Sequence, residues 1–143
     1  MTFFNMLQKT WHNFLERQLF DLIHGTNTYE VVDKADFLPI VDLKHGKAYY
    51  ASWTNEVKNS HQVLIHLLKN HFSDYVFIDL GCGKGKACLV WEIQNRRLAQ
   101  NQFIYGLDYY EPFIKIAQKN YVQVFKQSGN FYHVDAQHFD YQQ

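Results

Sequence analysis

Apolar residues recur along this chain in two rhythms, and the change between them marks out its elements. Through residues 3–24 they come at three- and four-residue steps, in Phe4, Leu7, Trp11, Phe14, Leu15, Leu19, Leu22 and Ile23. The opposite face carries Gln8, Lys9, Asn13, Glu16, Arg17 and Asp21. This predicts an amphipathic helix, with His24 in its last turn and Gly25 at its C-cap. Core packing or a partner contact suits it better than a membrane surface, since Lys9 and Arg17 face two acids rather than joining a lysine-rich face. Residues 26–60 are harder to read. Pro39 interrupts an apolar stretch, His45-Gly46-Lys47 reads as a turn, and Tyr49-Tyr50-Ala51-Ser52-Trp53 suits either a pocket wall or a core. Helical spacing resumes from Val57 to Phe72 through Val63, Leu64, Leu67 and Leu68.

From there the rhythm alternates between short apolar runs and longer helical stretches. Tyr75–Leu80 reads as a buried strand. Ala87, Cys88, Val90, Trp91, Ile93 and Leu98 suit a helix on a sheet, from Gly85 to about Ala99. Phe103–Asp108 reads as a second strand. Pro112 sits well in the first turn of a helix reaching about Lys126, and Ser128-Gly129-Asn130 closes it. Phe131–Ala136 reads as the third strand. The order predicts an α/β fold, a right-handed βαβαβ unit on a parallel sheet. Residues 1–72 form a helical extension and cap in this division, and residues 73–143 the sheet domain.

Composition narrows the function classes. With 143 residues, 47% hydrophobic and 17% aromatic, the chain can bury a core. Lys plus Arg and Asp plus Glu are 14 each, so no global field recruits nucleic acid or acidic lipid. No apolar run approaches a membrane span. Cys82 and Cys88 form no CxxC pair, and together with the lack of a signal peptide they point to a reducing cytoplasm. The eight histidines do not suggest a metal: His61, His66 and His71 step by five and cannot share a helical face.

The most informative stretch is Asp79-Leu80-Gly81-Cys82-Gly83-Lys84-Gly85. Three glycines at alternate positions let the backbone turn sharply and lie against a ligand. The helix that follows points free N–H groups toward it. Asp79 would repel a dinucleotide pyrophosphate but welcome an ammonium and a sulfonium. The turn therefore suits S-adenosylmethionine better than NAD, and its spacing lacks the third glycine of GxGxxG. Lys84 and Lys86 do not complete a phosphate-binding GxxxxGK[ST] loop, and solvated lysines are expected there. Cys82 is expected to be a small packed side chain with no base to activate it.

Asp79-x-Gly81-x-Gly83-x-Gly85 after an apolar strand resembles motif I of class I S-adenosylmethionine-dependent methyltransferases, and the likeness covers about residues 75–136. The resemblance implies a Rossmann-like sheet with three core strands in the order 3-2-1. It implies that Gly81, Gly83 and Gly85 approach the methionyl portion, with Asp79 near its amino group. It places Asp108 on the ribose hydroxyls, Tyr109 against the adenine, and Asp135 and Ala136 at the adenine amine. Gly25-Thr26-Asn27-Thr28 resembles a segment that precedes the core in some bacterial members, although threonines and asparagines also make ordinary caps and turns.

A complete member of that family has seven strands. This chain resembles its N-terminal, cofactor-binding half, apparently truncated, and the strand holding Asp79 is expected to have one bare edge. The expected function is methyl transfer to an unidentified acceptor, with no catalytic residue identifiable. A noncatalytic cofactor- or partner-binding module is the alternative, and an NAD-type domain fits less well. A second copy or a complementing chain at the bare edge is the expected partner.

Overall fold

The structure, a computed structural model, describes residues 8, 10–12, 14–29 and 49–141. The expectations for Phe4, Leu7, Pro39 and the His45-Gly46-Lys47 turn lie outside the described residues. A π-helical turn (Phe14–Gln18) runs into α1 (Leu19–His24). α2 (Thr54–Leu68) continues as a 3-10 turn (Lys69–Asp74) into β1 (Phe77–Leu80). α3 (Lys86–Arg97), β2 (Ile104–Asp108), α4 (Glu111–Phe125) and β3 (Asn130–His133) follow.

The three strands are parallel and pair in the order β1-β2-β3. This is the expected 3-2-1 order viewed from the other edge, and the fold is α/β and Rossmann-like. Phe77 lies opposite Ile104, and Gly106 opposite Phe131, so these four share one face. Both crossover helices cover that face. Trp91 of α3 stacks on Phe77 with ring centroids 4.1 Å apart, and Tyr121 of α4 meets Phe131 edge-on. On the other face, Phe139 and Tyr141 fold toward Tyr105 and Tyr132. Val76, Leu80 and Tyr132 stay exposed, and the outer edge of β1 pairs with no strand among the described residues. No described helix is long and apolar enough to cross a membrane.

α3 is the centre of the core. Lys86, Ala87, Cys88, Leu89, Val90 and Trp91 are consecutive buried residues, because the sheet lies on one side of the helix and α2 on the other. A helix covered on both sides loses the polar stripe of a surface helix.

Two expected faces were wrong. In α2 the residues turned inward are Val57, His61, Ile65 and Leu68, a run of i, i+4, i+8, i+11. Val63, Leu64 and Leu67 are exposed. His61 takes the central position because Asn95 meets its Nε2 at 2.8 Å and the rings of Phe72 and Trp91 pack edge-on against it. In the N-terminal helix, Trp11, Leu15, Leu22 and Ile23 are exposed while Phe20 is buried. The π-helical turn has a longer repeat than an α-helix, which rotates α1 out of phase with the stripe read from the sequence.

The limits of the strands and of the two crossover helices differ from expectation by at most three residues. The larger departure is at β3, which ends at His133. Asp135 therefore lies beyond the strand, where its side chain caps a short 3-10 turn (Ala136–His138).

Candidate cofactor site at the glycine turn

The turn after β1 is set by its glycines. Gly81, Gly83 and Gly85 have φ of 76°, 52° and 83°, a region that side chains with a β-carbon rarely enter. The N–H groups of Gly81 and Cys82 both donate to the Leu107 carbonyl, at 2.8 and 2.9 Å, which lashes the turn to β2. The three glycines face different surroundings. A β-carbon on Gly81 would meet nothing within 4 Å, so its side of the turn is open. One on Gly83 would lie 2.2 Å from the ring of Tyr49. One on Gly85 would lie 3.0 Å from Ala117 and 3.1 Å from Phe131, so this glycine admits α4 and β3 rather than facing the open side.

The two strand-end acids stand next to each other and differ. Asp108 is 7% exposed. One of its oxygens accepts the Gly83 N–H and the other the Tyr110 N–H, both at 2.8 Å. Burial raises its pKa, and these two bonds work against that rise. Each carboxylate oxygen keeps further acceptor capacity. Asp79 is half-buried, and its one hydrogen-bond neighbour among the described residues is the Cys88 thiol at 4.0 Å, a weak contact. Burial, then the negative charge of Asp108, pushes Asp79 up to about 6. A carboxyl in this position, beside a like charge and without a cation, is stabilised by a positively charged ligand.

The remaining predicted residues lie further along the same edge. Tyr109 is 40% exposed, and its carbonyl accepts from His133 Nε2 at 2.9 Å. The exposed Asp135 accepts the Gln137 N–H at 2.9 Å, and the Ala136 carbonyl accepts the Tyr141 hydroxyl. Asp79, Gly81, Gly83 and Asp108 are thus brought together at the ends of β1 and β2. Asp135 and Ala136 belong to the end of β3.

The expectation of solvated lysines is overturned. Lys84 and Lys86 are each 1% exposed. Lys86 donates to the Glu16 carbonyl and lies over the Phe20 ring, and burial lowers its pKa to about 8. Lys84 reaches Asn27 and lies over the Tyr49 ring. Both side chains reach into the N-terminal segment, which supplies carbonyls and rings that a surface lysine lacks.

That segment forms a cover over the turn. Asp21 accepts from the hydroxyls of Thr26 and Thr28 and from the N–H groups of Thr28 and Tyr29, all within 2.6–2.8 Å. The threonines of Gly25-Thr26-Asn27-Thr28 are therefore engaged within the segment. Asn120 of α4 donates to the carbonyls of Asn27 and Lys84 and accepts the Asn27 N–H. The Tyr49 hydroxyl donates to the Thr28 carbonyl, holding its ring over Gly83. Sequence reasoning marked Tyr49 only as a pocket-wall or core aromatic, and missed the buried roles of Lys84, Lys86 and Asn120. Only Asn120, a polar residue between Ala117 and Tyr121 on an apolar face, left a readable signal. A separate cleft of about 620 Å³ lies along α4, lined by Lys115, Gln118, Lys119, Val122, Gln123, Ser128 and Gly129. It includes none of the predicted site residues.

No protein-family model matches the chain, and no curated protein matches it. Among solved structures it is similar to one described as a protein-L-isoaspartate O-methyltransferase from Plasmodium falciparum, in complex with S-adenosyl-L-homocysteine. The identity is 18% and the TM-score 0.44, over 71% of this chain and 47% of that one. It is also similar to the plantazolicin methyltransferase BpumL in complex with S-adenosylhomocysteine, at 18% identity and a TM-score of 0.36, over 62% of this chain and 37% of that one. Both are methyltransferases. The chain spans less than half the length of either.

Proposed function

We propose that the open side of the glycine turn at Gly81 binds S-adenosylmethionine, and that the chain is a methyltransferase or the cofactor-binding half of one. The observation that carries this reading is Asp79, a carboxyl held up to about 6 at the open side of a three-glycine turn, with no cation beside it among the described residues. An ammonium from the methionyl portion would supply the missing charge. The backbone at Gly81 has the open space that a close approach requires. Asp108 keeps lone pairs for a ribose diol while it braces Gly83. Tyr109 is exposed enough to lie along an adenine ring, and Asp135 and Ala136 stand further along the edge for its amine. Bound there, the cofactor would supply an electrophilic methyl group. The chain's own part is to bind, orient and exclude water. Residues 1–72 serve as the extension and cap in this reading, through the Lys86, Asn120 and Tyr49 contacts, and residues 73–143 as the cofactor-binding part.

The acceptor is unassigned, and no described residue stands out as its general base. A noncatalytic cofactor- or partner-binding module is the second reading. It is favoured by the edge of β1 that pairs with no strand among the described residues, and by the exposed Val76 and Leu80 beside it, where a second copy or a complementing chain would pair. NAD fits less well, because Asp79 would face its pyrophosphate.

Calorimetric titration of the chain with S-adenosylmethionine, S-adenosylhomocysteine and NAD tests the reading. We expect both S-adenosyl compounds to bind, NAD not to bind, and Asp79→Asn to weaken S-adenosyl binding at least about tenfold. Asp79→Asn is the cleaner variant, because Asp108 also holds the turn. Equal binding by the variant and the parent chain, or a preference for NAD, would refute it. Binding without methyl transfer to any acceptor, in a chain that pairs through β1, would favour the second reading.

A further inference from the structure

We infer that the chain carries a second ligand site, for a carboxylate borne on an aromatic body, in a cavity of about 400 Å³ on the N-terminal segment. Its lining is Thr10, Trp11, Phe14, Arg17, Gln18 and Tyr29, none of which belongs to the glycine turn or the strand-end acids. The inference does not rest on the cofactor reading, and its test contains no S-adenosyl compound.

The charge comes from Arg17. Its Nε is buried and has no hydrogen-bond partner, although a hidden donor left unsatisfied costs about 1–3 kcal/mol. Two carboxylates lie within four residues of it, and both are engaged elsewhere. Glu16 accepts from the Asn55 N–H and its side-chain amide. Asp21 holds Thr26, Thr28 and Tyr29. The fold thus places an arginine in a cavity wall and directs its neighbouring acids away from it. A guanidinium offers paired donors that match a planar carboxylate, which would take Nε–H and one terminal N–H together.

The body of the ligand follows from the other walls. Trp11 and Phe14 lie with ring centroids 5.7 Å apart, and Tyr29 is the third ring. Three aromatic faces and one planar cation suit a flat apolar ligand with a single planar anionic group. Among the described lining residues a phosphate would find one cation, and is left short of donors. The π-helical turn that carries Phe14, Arg17 and Gln18 is a rare geometry that recurs at functional sites.

The test follows the indole N–H resonance of Trp11, assigned with Trp11→Phe, during titration of the full chain. The probes are indole-3-acetate, its neutral amide indole-3-acetamide, and inorganic phosphate. We expect a saturable Trp11 shift with the acetate by about 10 mM. The amide is expected to bind at least about tenfold more weakly, and phosphate not to compete. Arg17→Met should lower acetate affinity by a similar factor and leave the amide unchanged, while Arg17→Lys should recover part of the loss. Equal affinity for acetate and amide, competition by phosphate, a shift confined to Trp53 or Trp91, or no saturable shift would each overturn the site. If Arg17→Met loses its dispersed spectrum, the acid–amide comparison in the unaltered chain still decides.

Discussion

The ends of β1 and β2 each carry an aspartate, and the two have opposite standing in the folded protein. Asp108 is built into the backbone around it, with one oxygen on the Gly83 N–H and the other on the Tyr110 N–H. Asp79 has a distant thiol and a like-charged neighbour. Adjacent strands ending in the same residue type thus yield one acid that holds the turn together and one that awaits a partner. A residue's role at such an edge depends on which donors the next loop presents to it.

The comparison can be broken most forcefully at Asp108. Asp108→Ala leaves two backbone N–H groups without their acceptor and should cost about 3 kcal/mol in urea denaturation. A loss below about 1 kcal/mol would show that the turn is held elsewhere. Gly83→Ala attacks the same brace from the other side. Its β-carbon would overlap the Tyr49 ring at a φ of 52°, and we expect a loss of about 2 kcal/mol that is less than additive with the loss from Tyr49→Ala. Full additivity of the two losses would count against Tyr49 lying on the glycine.

Asp79 should behave in the opposite sense. Its folded pKa of about 6 stands above the ordinary aspartate value of about 3.9, so the folded state holds the proton more tightly. That contribution to stability is fully present below about 4 and is lost as pH rises through about 6. Asp79→Asn should therefore raise stability at pH 7 by about 1–2 kcal/mol and flatten this part of the profile. A destabilised variant would mean that Asp79 already has a favourable partner.

The smallest effect sharpens the assignment. Burial lowers the pKa of His61, and among the described residues its Nδ1 has no partner and only Asn95 bonds its ring. The unfolded chain takes up this proton first, so stability falls as pH drops below about 6.5. The two groups therefore oppose each other between pH 4 and 6.5. His61→Gln, measured in the Asp79→Asn background, should reduce the slope below pH 6.5.

The legible parts of this chain were those whose physics is local. Short apolar runs, glycine turns and Pro112 at the start of α4 placed every strand and crossover helix of the sheet domain within a few residues. The acid-tipped glycine turn drew attention to Asp79 because it depends on residues close in sequence, and Asp108 followed as the acid ending the next strand. The inward faces of the N-terminal helices were not legible. His61 owes its burial to Asn95, 34 residues away, and the π-helical turn shifts a stripe that the sequence shows as continuous. Lys84 and Lys86 read as solvent-facing because lysine usually is. Lys86 is buried because a carbonyl 70 residues earlier in the chain meets it.

The sequence by itself determined the order of strands and helices, the parallel sheet and the sharp turn at its edge, since periodicity and glycine torsions act over a few residues. Only the tertiary structure decided which of the two acids is engaged, which lysines are buried and what covers the glycines. Those outcomes depend on donors, carbonyls and rings brought in from distant parts of the chain.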